Sequence, residues 1–157
     1  MSNIQLKEFL KNCNDYVLVI LQFCIIILHF IRFDFFFKKE IIQVNSILNL
    51  VGFSIVIISS FFILIAIKEI GTNFSTFPKP KDKSYLTTSG IYSFIRHPMY
   101  YSLILISFGI FLTKLSCYYL SLTIMLTLII NSKIYLEEKY LINKFKNYSL
   151  YKDKVKY

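Results

Sequence analysis

The chain alternates long uncharged stretches with short blocks that hold nearly all of its charge. Ile41 to Ile67 contains no charged residue. A helix needs roughly 20 apolar residues to cross bilayer hydrocarbon, so this stretch can span with some tilt. Tyr16 to Ile31 is a shorter run that extends through Arg32 and Asp34 into Phe35, Phe36 and Phe37 at the interface. Pro98 to Thr113 and Leu115 to Ser132 are parted only by Lys114, which predicts a helical hairpin turning near Phe111 to Ser116. The pattern predicts an all-α polytopic membrane protein with about four spans, over 16–36, 41–67, 98–113 and 115–135. A polar loop over 71–97 and a tail over 136–157 complete a single domain of 1–157.

Positive residues set the orientation. Fourteen of the lysines and arginines fall on the N-terminal tail, the second connection and the C-terminal tail, against four on the opposite side (Arg32, Lys38, Lys39 and Lys114). This asymmetry predicts both termini and the long loop in the cytoplasm. It also accounts for the net charge of +9, which then faces an anionic leaflet. A bacterial inner membrane or an endoplasmic reticulum membrane gives the same topology. The first span follows a basic segment but precedes no small-residue cleavage site, so it reads as a retained anchor.

Composition narrows the class further. The 157 residues are 55% hydrophobic and 17% charged, whereas soluble domains carry about a quarter charged residues. Disorder and a disulfide-stapled secreted module are excluded. Nucleic-acid binding would fit the charge but not the apolar runs. Cys13, Cys24 and Cys117 form no CxxC pair, and Cys24 and Cys117 read as small hydrophobes. No metal-ligand spacing and no Rossmann-type glycine loop is present. His29, with Gln22 on the same face, reads as an interfacial or packing residue, and Asn45, Asn49 and Gly52 as helix–helix contact.

The chemistry collects in two blocks, both on the cytoplasmic side. In Leu86-Thr87-Thr88-Ser89-Gly90-Ile91-Tyr92 and Arg96-His97-Pro98-Met99-Tyr100, Pro98 biases His97 away from helical geometry and suits the first turn of the next helix. Arg96 and His97 then stand at a helix N-terminus, whose free N–H groups favour a carboxylate or phosphate. The bland reading is a basic helix start that reaches toward lipid headgroups. In the second block, Lys133, Glu137 and Leu141 share a helical face, beside Glu138. Carboxylates at the exit of a membrane helix need partners. Its bland reading is a solvated Lys–Glu pair, although Lys before Glu is the weaker orientation. A helical hairpin brings His97 and Glu137 to one membrane face. The predicted pocket has an anion-binding and a cation-binding end, suited to a zwitterion.

At these residues the sequence resembles the isoprenylcysteine carboxyl methyltransferase and phospholipid methyltransferase family. The resemblance rests on the two blocks above, on Glu137-Glu138 with Leu141, and on Phe145 followed by Tyr148 and Tyr151; it covers roughly residues 70 to 155. It implies a membrane enzyme that uses S-adenosylmethionine. It implies cofactor contacts from Leu86, Thr87, Tyr92, His97, Pro98, Met99, Tyr100 and Glu137, and a catalytic set of Arg96, Lys133 and Glu138. Arg96 and His97 would take the methionine carboxylate, and Glu137 the ammonium or ribose hydroxyls. The implied acceptor is lipid-like or an isoprenylcysteine-type carboxylate, which Lys133 would orient. An amine acceptor would need a base, with Glu138 or Tyr100 as candidates. The sequence departs from the family at Lys133, where prenylcysteine methyltransferases have arginine, at Lys146, where glycine is usual, and in its few spans. Phospholipid amine N-methylation, an NADPH-dependent sterol-reductase-like activity and a non-catalytic scaffold are the alternatives. The implied partners are the bilayer and its lipid, not nucleic acid.

Overall fold

The structure, a computed structural model, describes residues 3–31 and 46–156, with side chains described from Asp15 onward in the first segment. Five α-helices appear among them: α1 (Asn3–Leu28), α2 (Ser46–Ile70), α3 (Pro98–Lys114), α4 (Cys117–Lys144) and α5 (Tyr148–Lys154), with 3-10 turns at Gly71–Asn73 and Gly90–Ser93. No strand occurs among the described residues. The extension of the first span through Arg32 to Phe37, the cations Lys38 and Lys39, and the second span's start at Ile41 lie outside them.

Segment Ser46–Asn73 and helix Cys117–Lys144 are long and apolar enough to cross a membrane, while Asp15–Leu28 and Pro98–Lys114 are shorter apolar helices. In α2 only Gly52, Ser59 and Ala66 are buried, and Leu50, Phe53, Phe61 and Leu64 stand exposed. A helix so apolar yet so little covered fits lipid on its outer faces, since a soluble core helix would be buried by protein.

Helix α2 packs along α3, α3 along α4, and α4 along α1. At the α2–α3 crossing, Gly52 and Gly109 lie back to back: a Cβ on Gly52 would stand 2.6 Å from the Gly109 carbonyl oxygen, and one on Gly109 2.7 Å from that of Gly52. Small residues let membrane helices approach this closely. The expected α3–α4 hairpin is present. Leu115 takes the left-handed conformation (φ 42°) and its amide bonds the Phe111 carbonyl at 2.7 Å. The Ser116 hydroxyl then caps α4 by accepting the Tyr118 amide at 3.3 Å. Ile25, Tyr119, Leu122, Leu126 and Ile130 form the core between α1 and α4. Polar bonds seal the end of the bundle far from the long loop: His29 Nε2 meets Ser107 Oγ at 2.8 Å, and Ser107 meets Thr123 Oγ1 at 2.8 Å. His29 has the packing role read from the sequence.

Helix α4 continues past the expected span end at 135, through the helical face of Lys133, Glu137 and Leu141, to Lys144. Glu137, Glu138 and Lys139 are good helix formers, and Lys133 and Glu138 are buried within the fold rather than solvated. The second chemical block therefore lies on a rigid helix.

Candidate functional site

The site forms where the long loop folds back over the ends of α2, α3 and α4. Gly90 sits at φ +59°, a conformation that favours glycine. Beneath it lies the carboxylate of Glu69, from the last turn of α2, in direct contact with the position a Cβ would take. Glu69 Oε2 accepts the Ile91 amide at 2.6 Å, an acid at a short helix's first turn. Asn73 holds the strand of loop before it, donating to the Tyr85 carbonyl at 2.9 Å and accepting the Tyr85 amide at 3.2 Å. Lys144 reaches across from α4 to the carbonyls of Lys81 and Asp82 and to the Ser84 hydroxyl.

His97 takes non-helical angles (φ −126°, ψ 58°) immediately before Pro98, which occupies the first turn of α3. Its ring stacks on Tyr100 with centroids 5.8 Å apart. The C-terminal tail closes the next side. Tyr151 donates to the Tyr92 carbonyl at 2.5 Å, and Arg96 Nη1 donates to the carbonyls of Lys152 at 3.0 Å and Val155 at 2.8 Å. Arg96 Nη2 lies 3.0 Å from Glu138 Oε1, whose other oxygen meets Lys152 Nζ at 2.6 Å. His97 Nε2 is 3.5 Å from Glu138 Oε1, too long for a good hydrogen bond.

These elements line a cleft that is open to solvent at its mouth. All eight residues expected to contact a cofactor line it: Leu86, Thr87, Tyr92, His97, Pro98, Met99, Tyr100 and Glu137. Arg96 lines it too, and Phe77, Pro78, Tyr148 and Tyr151 complete an aromatic wall. Glu137 faces Tyr100, His97 and Lys133. Its Oε2 is buried and has no hydrogen-bond partner among the described residues; the same holds for the Tyr148 hydroxyl and His97 Nε2. A buried polar atom left unbonded is costly; Glu137 Oε2 is an open acceptor and the Tyr148 hydroxyl a potential donor, while His97 Nε2 is directed at Glu138. Burial, reinforced by the charge of Glu137, pushes the Tyr92 phenol well above its usual range. Burial likewise raises Tyr148, reinforced by Glu138. It carries Tyr151 up to about 12 against the opposing charge of Arg96. These phenols stay neutral donors at physiological pH.

The family model of phospholipid methyltransferases matches residues 47–148, from the first turn of α2 to the tail that closes the cleft. The chain belongs to the phospholipid methyltransferase family. A search of curated proteins finds no match. The family resemblance read from the sequence is borne out, and this phospholipid methyltransferase family member is a membrane methyltransferase by family, with two helices among the described residues long and apolar enough to cross a bilayer.

Two members of the expected catalytic set stand off the cleft wall of this methyltransferase. Glu138 is surrounded by Arg96, His97 and Lys152. Lys133 is 1% exposed; its ammonium donates to Gln22 Oε1 at 2.5 Å and the Thr76 carbonyl at 3.0 Å, 5.1 Å above the Tyr100 ring centroid. Sequence reasoning missed Glu69, Asn73 and Gln22. A lone carboxylate two positions before Gly71 was the available signal for Glu69. Gln22 shared a face with His29, but its partner is Lys133.

Proposed function

We propose that the chain transfers a methyl group from S-adenosylmethionine to a lipid-like acceptor in this cleft. The supporting observation is the buried, unpartnered Oε2 of Glu137 opposite the α3 N-terminus. The residues present fit the cofactor. Glu137 would accept from its ammonium, and His97 with the N-terminus of α3 would hold its carboxylate. The aromatic rings would surround the cationic sulfur. Bound, S-adenosylmethionine supplies an electrophilic methyl on that sulfur. The chain's part is to orient and to exclude water: holding reactants in line contributes up to about 7–11 kcal/mol. Arg96 acts through Glu138 and the tail, fixing the wall on which His97 stands. Phe77 and Pro78, which line the cleft outside the cofactor set, are left for the acceptor.

The acceptor class follows from where the cations are. A carboxylate acceptor, as in prenylcysteine methylation, calls for a free cation at the wall. Among the described residues, Arg96 has both terminal nitrogens engaged by Glu138 and two carbonyls, with only its Nε left without a partner, and Lys133 is held by Gln22 and Thr76. This favours the amine reading, phospholipid amine N-methylation, over the carboxylate one. Neither candidate base is well placed to take the amine's proton: Glu138 lies off the cleft wall, and Tyr100, which lines it, is a phenol that holds its own proton at neutral pH, so the amine must reach the cleft neutral. The four-span arrangement with both termini and the cleft in the cytoplasm is part of the same proposal, supported by the fourteen-to-four split of lysines and arginines between the two sides.

The test is methyl transfer from labelled donor into membrane extract, with identification of the labelled product. A labelled amine lipid is expected. A labelled carboxyl ester would overturn the amine reading, and no transfer together with stabilisation by NADPH would overturn the methyltransferase reading for the reductase-like one. No stabilisation by either ligand would favour a scaffold.

A further inference from the structure

Lys133 occupies an unusual place. Its ammonium is buried at the meeting of four elements: its own α4, Gln22 of α1, Thr76 of the loop after α2, and the Tyr100 ring of α3. Two donors are directed to fixed oxygens and the charge lies over an aromatic face, an arrangement that satisfies the group without a ligand. Thr76 directly precedes Phe77 and the buried Pro78, both on the cleft wall. Phe77 makes a second tie to α1, edge-on to Tyr16 with centroids 5.1 Å apart. Helix α1 lies outside the residues the family model matches. The strut from Gln22 through Lys133 thus ties α1 to the matched part of the fold.

We propose that Lys133 and Gln22 are positioning residues: together they hold the Thr76–Pro78 wall and the Tyr100 ring at the depth the cleft needs, and the Lys133 ammonium touches neither cofactor nor acceptor. Without the Gln22 oxygen a buried ammonium would seek another acceptor and drag the loop with it. Without the ammonium, the Thr76 carbonyl and the Gln22 amide would be stranded. Either loss acts on the cleft through the same wall, so the two must be coupled.

The inference rests on the cleft being an S-adenosylmethionine site, and its test separates the two. The full chain in detergent is titrated with S-adenosylmethionine as wild type, Gln22→Leu, Lys133→Met, the double variant and Gln22→Glu, and amide hydrogen exchange is followed over 76–80. Each single substitution is expected to weaken binding about tenfold, a small displacement of the wall, with faster exchange at 76–80. The double variant should bind no more weakly than the worse single. Gln22→Glu keeps an oxygen for Lys133 and should bind like wild type. The double variant replaces the pair by two apolar side chains, which guards against simple unfolding of the singles. Lys133→Met weakening binding while Gln22→Leu does not would mean that the ammonium meets the ligand directly, and would overturn the proposal. If the wild type binds no S-adenosylmethionine, the functional reading fails; unchanged exchange at 76–80 in both singles would then overturn the strut as well, and faster exchange would sustain it.

Discussion

Arg96 and Glu138 form a 3.0 Å ion pair, and the same guanidinium grips the carbonyls of Lys152 and Val155, so one planar group joins the loop, α4 and the tail. Both side chains of the pair are 12% exposed. Removing one partner from a buried pair costs about 3–5 kcal/mol, because the other is left uncompensated. Arg96→Ala should lower Tm and render the chain after Asn147 sensitive to protease. Arg96→Lys should recover only part of this, since lysine keeps the charge but not the fork. Limited proteolysis with mass spectrometry reads the result; a tail in Arg96→Ala as resistant as in wild type would remove the clamp from the account.

The Gly90 turn gives a second prediction. Gly90→Ala places a Cβ against the Glu69 carboxylate at φ +59°, and the left-handed conformation alone costs about 1–2 kcal/mol for an L-residue. S-adenosylmethionine affinity should fall more than Tm, because the strain lies in the loop that carries Tyr92. Adding Glu69→Ala relieves the contact but not the backbone cost, so affinity should return only in part. Isothermal titration of the wild type and the two variants decides this; full recovery in the double variant would mean that the backbone is not strained.

Much of this was legible in the sequence, for physical reasons. Pro98 fixes a helix start and, through its own ring, the geometry of His97. The uncharged runs on either side of Lys114 define a hairpin, and that hairpin carries Glu137 to the face of His97. The partners of Glu137 and Glu138 were not legible, because the two carboxylates look like a solvated helix end until those partners are known. Those partners are far along the chain. Lys152 reaches Glu138 from the tail, and Gln22 meets Lys133 from a helix at the opposite end of the sequence. No local pattern reports a pairing set by tertiary packing. The engagement of Arg96 and Lys133 by protein partners was hidden for the same reason.

The Gly52–Gly109 crossing yields a third prediction. A methyl group on either glycine would stand within 2.7 Å of a backbone oxygen that cannot move aside alone. Overpacking of this kind costs about 1–3 kcal/mol. Gly52→Ala should therefore lower Tm in detergent. It should also reduce activity, since α2 carries the Glu69 and Ala66 that meet the Gly90–Ser93 turn. An unchanged Tm would show that the helices have room to part.

Alkaline pH supplies a fourth. The Tyr151 phenol is raised to about 12 by burial, from the usual 10. The unfolded chain therefore releases this proton first as pH rises. The stability it contributes is fully present below about pH 10 and is lost progressively between about 10 and 12. Tyr151→Phe has no proton to lose, so its Tm should fall less steeply across that window, while at neutral pH it should be lower by the loss of the bond to Tyr92, about 1 kcal/mol. Thermal melts at stepped pH test both; parallel curves for the two proteins would contradict the assignment.

The central claim is that Glu137 holds the methyl donor, and the most direct measurement is S-adenosylmethionine binding by the detergent-purified protein, wild type against Glu137→Gln, read as thermal stabilisation. At a hundredfold excess over Kd a ligand adds about 2.7 kcal/mol. The wild type should be stabilised by about that amount. Glu137→Gln, which keeps the shape but loses the charge facing an ammonium, should be stabilised little at the same concentration. Equal stabilisation of the two proteins would contradict the account.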